Sequence, residues 1–260
     1  MLAAERLAVI EAALERDGVV RSAELAARLG VSEMTVRRDL RTIADSGRAR
    51  TVRGGAVVAA AAHDVTEEPG FLAKSQLNRE AKEALAERAA GLVRPGSAVA
   101  LSAGTTTLAL ARHLQHVDHL TVVTNSVHVA DLLHDPGRPD RTVLLTGGMR
   151  TPSDALVGPI AVATLRELQV DLCVLGVHGI DADAGLTTPN LLEAETDQAM
   201  MRCASQVAVV ADSSKWGTRG LARIAPLSDV DILVTGPLDT EAAARADELV
   251  GRLDQVEGAA

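Results

Sequence analysis

Aromatic residues are almost absent from this chain: its 260 residues include one Phe, one Trp and no Tyr. A protein so poor in flat rings has no platform on which unpaired bases can stack, which excludes single-stranded nucleic acid as a ligand class. Cysteine is nearly as scarce. Cys173 and Cys203 lie in apolar contexts that suggest no disulfide framework, so a reducing cytoplasm is the expected compartment. No apolar run approaches a membrane span, and no basic stretch followed by an apolar one opens the chain, so a soluble, cytosolic protein with no membrane partner is expected. Lysine is missing altogether from residues 1–58, which hold ten Arg against eight Asp plus Glu. The overall charge of -9 by itself argues against a polyanion partner, but residues 1–58 carry +2 and residues 59–260 carry -11. Within the first part, Arg37–Arg53 holds six basic and two acidic residues. The distribution describes a basic head on an acidic body.

What is present is concentrated in Val31-Ser32-Glu33-Met34-Thr35-Val36-Arg37-Arg38-Asp39-Leu40. With Ser32 as N-cap, Val36, Leu40 and Ile43 recur at helical spacing and form one narrow apolar seam. The opposite face then carries Met34, Arg37, Arg38, Arg41 and Thr42, with Thr35 at its edge. A helix that buries one stripe and lifts arginines off the other suits the major groove of double-stranded DNA.

The surrounding sequence agrees. Leu7, Ile10 and Leu14 fit a first helix ending near Asp17-Gly18, and Val19–Arg21 is a short extended piece. Ser22 is expected to cap a second helix with core contacts Leu25 and Leu29, and Gly30-Val31-Ser32 supplies the turn into the third. Arg48 through Val57 alternates about Gly54-Gly55 and reads as a hairpin wing whose arginines, Arg53 among them, reach phosphate or the minor groove. The DNA-contacting set expected from this pattern is Ser32, Thr35, Arg37, Arg38, Arg41 and Arg53. A charged helix face is more often merely solvated, but turn, cap, seam, basic face and basic hairpin occur here in one consistent order.

The segment Arg21–Ala56 resembles the winged helix-turn-helix of DeoR-type bacterial repressors. The resemblance rests on Ser32-Glu33-Met34-Thr35-Val36-Arg37-Arg38-Asp39-Leu40 and on Gly47 through Ala56 with Arg53-Gly54-Gly55. Ile43 replaces the Leu usual in that family, a conservative change on the buried seam.

The expected domains are 1–58, a connection at 59–76 with weak patterning, and 77–260. In the last, strand-like runs at Ala98–Leu101, Leu120–Thr124, Thr142–Leu145, Asp171–Val177, Gln206–Ala211 and Asp231–Thr235 alternate with helical patterns. Such alternation predicts an α/β domain with a mostly parallel, Rossmann-like sheet covered on both faces, binding ligands past the carboxyl ends of its strands. Polar or glycine-rich turns fall at five consecutive strand ends: Ser102 to Thr107, Thr124-Asn125-Ser126, Gly147-Gly148, His178 to Asp181, and Asp212 to Lys215. Each alone is weak, since Ser, Thr and Asn cap helices everywhere. Together, with Lys215 offering a cation and the Gly104 turn opening a helix, they point to one anionic small-molecule site. Its expected members are Ser102, Gly104, Thr105, Thr106, Thr124, Asn125, Gly147, Gly179, Asp181, Glu193 and Lys215.

From Ala81 to Gly236 the chain resembles the sensor domain of the same family, through Gly104-Thr105-Thr106, Val123 to Ser126, Gly147-Gly148, Gly179-Ile180-Asp181 with Gly185, Asn190 with Glu193-Ala194, and Asp212 to Lys215. That resemblance implies a fold related to ribose-5-phosphate isomerase and glucosamine-6-phosphate deaminase, and a phosphorylated-sugar effector. Lys74 stands where the family usually has Arg, and Ser102-Ala103 where it usually has Asp-Ser or a similar pair. Both changes bear on which sugar fits.

Three features invite other chemistry. His113, His116 and His119 suggest zinc, but His119 falls past the expected helix end and only Asp118 is near, so solvated histidines are expected and no metal or cofactor. Asp181 and Asp183 suggest an acid/base pair, but beside Gly179 and Gly185 they read as turn residues. Glu193 suggests an isomerase base, yet Leu186 to Asn190 lacks the Lys-Gly-rich run of those enzymes. The expected protein is therefore a homo-oligomeric, dimeric or tetrameric, ligand-responsive repressor that reads paired operator half-sites and has no catalytic residues. A sugar-phosphate isomerase or deaminase with a DNA-binding appendage is the alternative, and a constitutive DNA-binding protein with a vestigial site a third.

Overall fold

A computed structural model of the chain describes residues 3–17, 19–45, 49–52, 55–58 and 78–257. It divides into two units, residues 1–64 and 65–260. The expected connection at 59–76, the wing residues Arg48, Arg53 and Gly54, and Lys74 lie outside the described residues.

In the first unit, α1 (Ala3–Asp17) is followed by β1 (Val19–Arg21), α2 (Ser22–Leu29), α3 (Glu33–Asp45), β2 (Ala49–Val52) and β3 (Gly55–Val58). Ile10 and Leu14 of α1, Leu25 of α2, the Val36/Leu40/Ile43 seam of α3, and Val20 and Ala56 of the strands share one core. Each fully buried Leu or Ile contributes about 1.5–3 kcal/mol, which is what gives so small a unit a fixed shape. The three strands pair antiparallel in the order β1-β3-β2, so β2 and β3 form the expected wing and β1 ties it to the helices. Gly30 ends α2 at φ +65, the left-handed conformation that glycine adopts without strain, and turns the chain into α3. The Ser32 hydroxyl accepts from Thr35 N at 3.2 Å, the cap expected of it. Ser22 does not have the role expected: α2 begins at Ser22 itself, Arg21 occupies the cap position, and the Ser22 hydroxyl is buried in the domain. Asp39 is buried as well. Its carboxylate accepts Arg6 Nε at 2.6 Å and Arg6 Nη2 at 3.2 Å, a two-pronged bond that fastens α3 to α1.

The second unit begins with α4 (Arg79–Ala90) and continues through β4 (Ala98–Leu101), α5 (Thr105–His113), β5 (Thr121–Thr124), α6 (Val127–Leu133) and β6 (Thr142–Leu145). A short hairpin, β7 (Met149–Arg150) and β8 (Leu156–Val157), leads to α7 (Pro159–Arg166) and β9 (Val170–Gly176). Then come β10 (Gly179–Asp181), β11 (Gly185–Thr188), α8 (Leu191–Arg202), β12 (Ala204–Ala211), β13 (Ala222–Ala225), β14 (Ile232–Thr235), α9 (Thr240–Leu249) and β15 (Leu253–Gln255). Seven strands form one all-parallel sheet in the order β15-β14-β12-β9-β4-β5-β6.

Alternate residues of each strand enter different cores. Val99, Leu101, Leu172, Val174, Ala208 and Val210 pack with α4 and α5 on one face. Ala100, Cys173, Leu175, Val207 and Val209 pack with Met200 of α8 and Leu165 of α7 on the other. Burial on both faces is why these strands read as unbroken apolar runs. Full burial also pushes the Cys173 thiol well above its ordinary pKa. The antiparallel β10-β11-β13 sheet, the β7–β8 hairpin, α9 and β15 were not among the elements expected from sequence. The chain reverses direction across the sheet between β4 and β9: β5 and β6 extend one side, and β9 then returns to the other. Such a reversal leaves a crevice past the carboxyl ends of β4 and β9.

Candidate DNA-reading face and effector crevice

Rotation by about 100° per residue puts Met34, Arg37, Arg38 and Arg41 on one side of α3, and all four are exposed. The Arg37 guanidinium donates to Glu33 Oε2 at 2.9 Å, one turn earlier, while Arg38 and Arg41 make no side-chain bond among the described residues. Ser32 is exposed; its hydroxyl is already the cap of α3 and also bonds Thr35 Oγ1 at 2.9 Å. Of the six residues expected to contact DNA, five therefore stand on or beside one exposed helix face, and Arg53 lies outside the described residues.

The crevice of the second unit is built by hydrogen bonds between strand ends. Ser102 is buried, and its hydroxyl accepts Gly176 N at 3.0 Å, joining the end of β4 to the end of β9. From β5, Asn125 Oδ1 accepts Ala103 N at 2.7 Å, and Thr124 Oγ1 donates to Leu101 O at 2.7 Å. Ser102, Thr124 and Asn125 thus shape the turn. What the turn presents is the start of α5, where Gly104 is the cap residue, no side chain caps the helix, and Thr107 Oγ1 donates to Gly104 O at 3.0 Å. The first-turn N–H groups at Thr105 and Thr106 have no partner within the helix and lie at the positive end of its dipole, although Thr106 itself is buried.

Thr105 opens on a cleft of about 570 Å³ lined also by Arg79, Lys82, Glu83, Leu108, Ala109 and Arg112. Thr105 stands at the N-terminal end of α5 and Arg112 in its last turn, so the cleft runs along the two helices, and its three cations outnumber its one carboxylate, a balance that suits an anion. None of these three cations was singled out from sequence. Spaced along α4 and α5, they look like ordinary solvated charges, and only the packing of α4 against α5 gathers them into one cleft.

The remaining expected members divide. Lys215 lies half-buried at the end of β12, and its ammonium has no bonding partner among the described residues. With β9 between β12 and β4, the two strand ends stand about 10 Å apart. Gly147 follows β6 at φ +71. At Gly179 a Cβ would collide with the backbone carbonyl of Thr218, so its glycine serves a close backbone approach. Asp181 is a turn residue: Oδ1 accepts Asp183 N and Ala184 N, and Oδ2 pairs with Arg219 at 2.7 Å. Burial opposes its ionisation, but Arg219 and the two N–H groups outweigh it and hold its pKa low. Asp183 likewise faces Arg219, at 3.6 Å, and neither aspartate is arranged as an acid/base pair.

Glu193, in the first turn of α8, is buried and accepts from Thr151 Oγ1 at 2.9 Å, from Ser153 Oγ, and from Thr188 Oγ1 at 3.3 Å. Thr151 and Ser153 belong to the β7–β8 hairpin, which is fixed to β5 by Leu156 N donating to Asn125 O at 2.8 Å. On its other side, Asp154 takes Arg150 Nε and His128 Nε2, each at 2.8 Å. These partners hold the Asp154 pKa below its ordinary value against the opposing effect of burial. Of the three histidines that suggested zinc, His113 bonds Glu83 at 2.8 Å, and His119 lies past α5.

Comparison with known proteins places these two arrangements. Residues 6–61 match the model of the DeoR-like helix-turn-helix domain, and residues 77–237 match that of the DeoR C terminal sensor domain. The HTH-type transcriptional regulator GlpR of Haloferax volcanii is 39% identical over 93% of this chain and 93% of that protein. The glycerol-3-phosphate regulon repressor of Haemophilus influenzae is 30% identical over 86% and 85%. Among solved structures, ribose 5 phosphate isomerase A from Neisseria gonorrhoeae is 16% identical over 55% of each chain, with a TM-score of 0.40. No helix among the described residues is long and apolar enough to cross a membrane.

Proposed function

The chain belongs to the DeoR family of DNA-binding transcriptional regulators, and from that premise we propose that it is a repressor of carbohydrate-metabolism genes controlled by a phosphorylated sugar. It acts in the cytoplasm as a homo-oligomer, dimer or tetramer, because one recognition helix reads too few bases to find a site alone. The observation that carries the effector reading is the uncapped start of α5 opening on the cleft lined by Arg79, Lys82 and Arg112. The phosphate binds there, on the N–H groups and hydroxyls of Thr105 and Thr106, with Lys82 as the nearest buried cation. Lys215, reaching over the end of β9, and Asn125 meet the sugar portion. Gly147 and the Glu193 cluster border it.

The protein is a regulator and not an enzyme. The relatives that match it along most of its length carry the names of regulators, and the Glu193 carboxylate is occupied by three hydroxyl donors. Effector control requires only that the ligand prefer one conformational state by about 1–3 kcal/mol. A thermal-shift screen of sugar phosphates against their dephosphorylated sugars, followed by DNA binding with each hit, tests the reading. Phosphorylated compounds are expected to raise the melting midpoint and change DNA affinity. Equal response to the dephosphorylated sugars, or an unchanged response in Lys82→Ala, would overturn it.

A further inference from the structure

Met34 is the most exposed large apolar side chain among the described residues, at 80%. It stands in the first turn of α3, within about 60° of Arg37, Arg38 and Arg41 and on the side opposite Ile43 of the buried seam. Nothing in the fold calls for a thioether there: the core of the first unit lies on the other side of the helix, and Met34 is not part of it. Single exposed apolar residues are common on protein surfaces. This one is set among three guanidinium groups, on the face that loses its water when the helix enters a groove. Arg37 bonds Glu33, one turn earlier, whereas Arg38 and Arg41 make no side-chain bond among the described residues.

A base edge in the major groove offers donors, acceptors and one apolar feature, the 5-methyl group of thymine, whereas the phosphates offer none. A flexible, polarizable thioether adapts to such a methyl without strict geometry. We propose that Met34 reads a thymine methyl in the operator half-site and so sets the sequence preference at one base pair, while the arginines bind phosphate and guanine. The inference rests on the DNA-reading role of α3 given above. It adds a base, a chemical feature of that base and a residue to that role.

The test uses the full chain and duplexes that it selects from a random library. Thymines of the selected site are replaced one at a time by deoxyuridine, which removes only the 5-methyl group. One thymine per half-site is expected at which the replacement weakens parent binding about fourfold, the value of one buried methyl. In Met34→Ala that position becomes indifferent to deoxyuridine, while Met34→Leu keeps the sensitivity. Because Met34 carries no charge, the salt dependence of binding stays the same in all three proteins. A Met34→Ala protein that keeps the parental deoxyuridine profile, or a parent indifferent at every thymine, would overturn the assignment while leaving DNA recognition by α3 intact. Failure of the parent to enrich any sequence would overturn both.

Discussion

Replacing Asn125 with Ala separates the construction of the effector turn from its chemistry. Asn125 is 2% exposed, and its Oδ1 accepts the Ala103 N–H at 2.7 Å, holding the residue just before Gly104 and the start of α5. Without that oxygen the Ala103 N–H loses its partner in a half-buried turn, at a cost of about 1–3 kcal/mol. For a unit of this size each kcal/mol moves the melting midpoint by about 2–4 °C, so Asn125→Ala should lower the second transition by about 2–12 °C. The first unit shares no part of this bond, and its own transition serves as an internal reference that stays in place. Inorganic phosphate should then raise the second midpoint less in the variant than in the parent, because the N–H groups of Thr105 and Thr106 are no longer held in position. Asn125→Asp retains an acceptor for Ala103 and should melt near the parent, yet respond poorly to phosphate because it adds a negative charge beside the anion. Differential scanning calorimetry with and without phosphate reads all three. An Asn125→Ala protein with the parental midpoint and the parental phosphate shift would refute the account of how this turn is built.

Leu40→Ala empties a side chain that is 1% exposed in the small first core, and should destabilise that unit by about 2–5 kcal/mol with no change in the second transition. Asp39→Ala leaves the Arg6 guanidinium buried without its carboxylate and should lower the first transition, whereas Arg6→Met combined with Asp39→Leu should recover most of the loss; equal melting of the two variants would contradict the pairing. The Asp154 pKa is lowered on folding, so its contribution to stability is complete above the unfolded value of about 3.9 and disappears as pH falls through the folded value. Asp154→Asn should therefore melt below the parent at pH 7 and converge with it in strong acid; a gap that widens in acid would reverse the sign of this argument.

The central strands of the second unit were legible because parallel strands buried on both faces leave an unbroken apolar signature, as in β4; β6 also falls at its expected bounds, although it is an edge strand with Leu144 and Leu145 exposed. The antiparallel β10-β11-β13 sheet was hidden. Gly179–Asp181 and Gly185–Thr188 read locally as turn residues, and the strand that completes them, Ala222–Ala225, is far along the chain. Candidate site residues divide in the same way. Thr105 and Asn125 carry their position in local motifs at strand ends, so they could be named. Lys82 shows only a helical charge until α4 lies against α5. Asp39 sits within the most telling motif of the sequence, yet its partner Arg6 is 33 residues away on another helix, and nothing local distinguishes a buried aspartate from an exposed one.

The chain contains three lysines, Lys74, Lys82 and Lys215, and they carry its primary side-chain amines. One is outside the described residues between the two domain matches, one is buried in the wall of the anion cleft, and one is half-buried at the end of β12. The DNA-reading unit has none, so amine-directed chemistry passes over its arginine surface. Acetylation or amine labelling of side chains therefore bypasses the DNA-reading unit, and masking Lys82 or Lys215 removes a charge from the effector site proposed above. Cleavage at Lys74 alone would cut the chain between the two matched domains, residues 6–61 and 77–237.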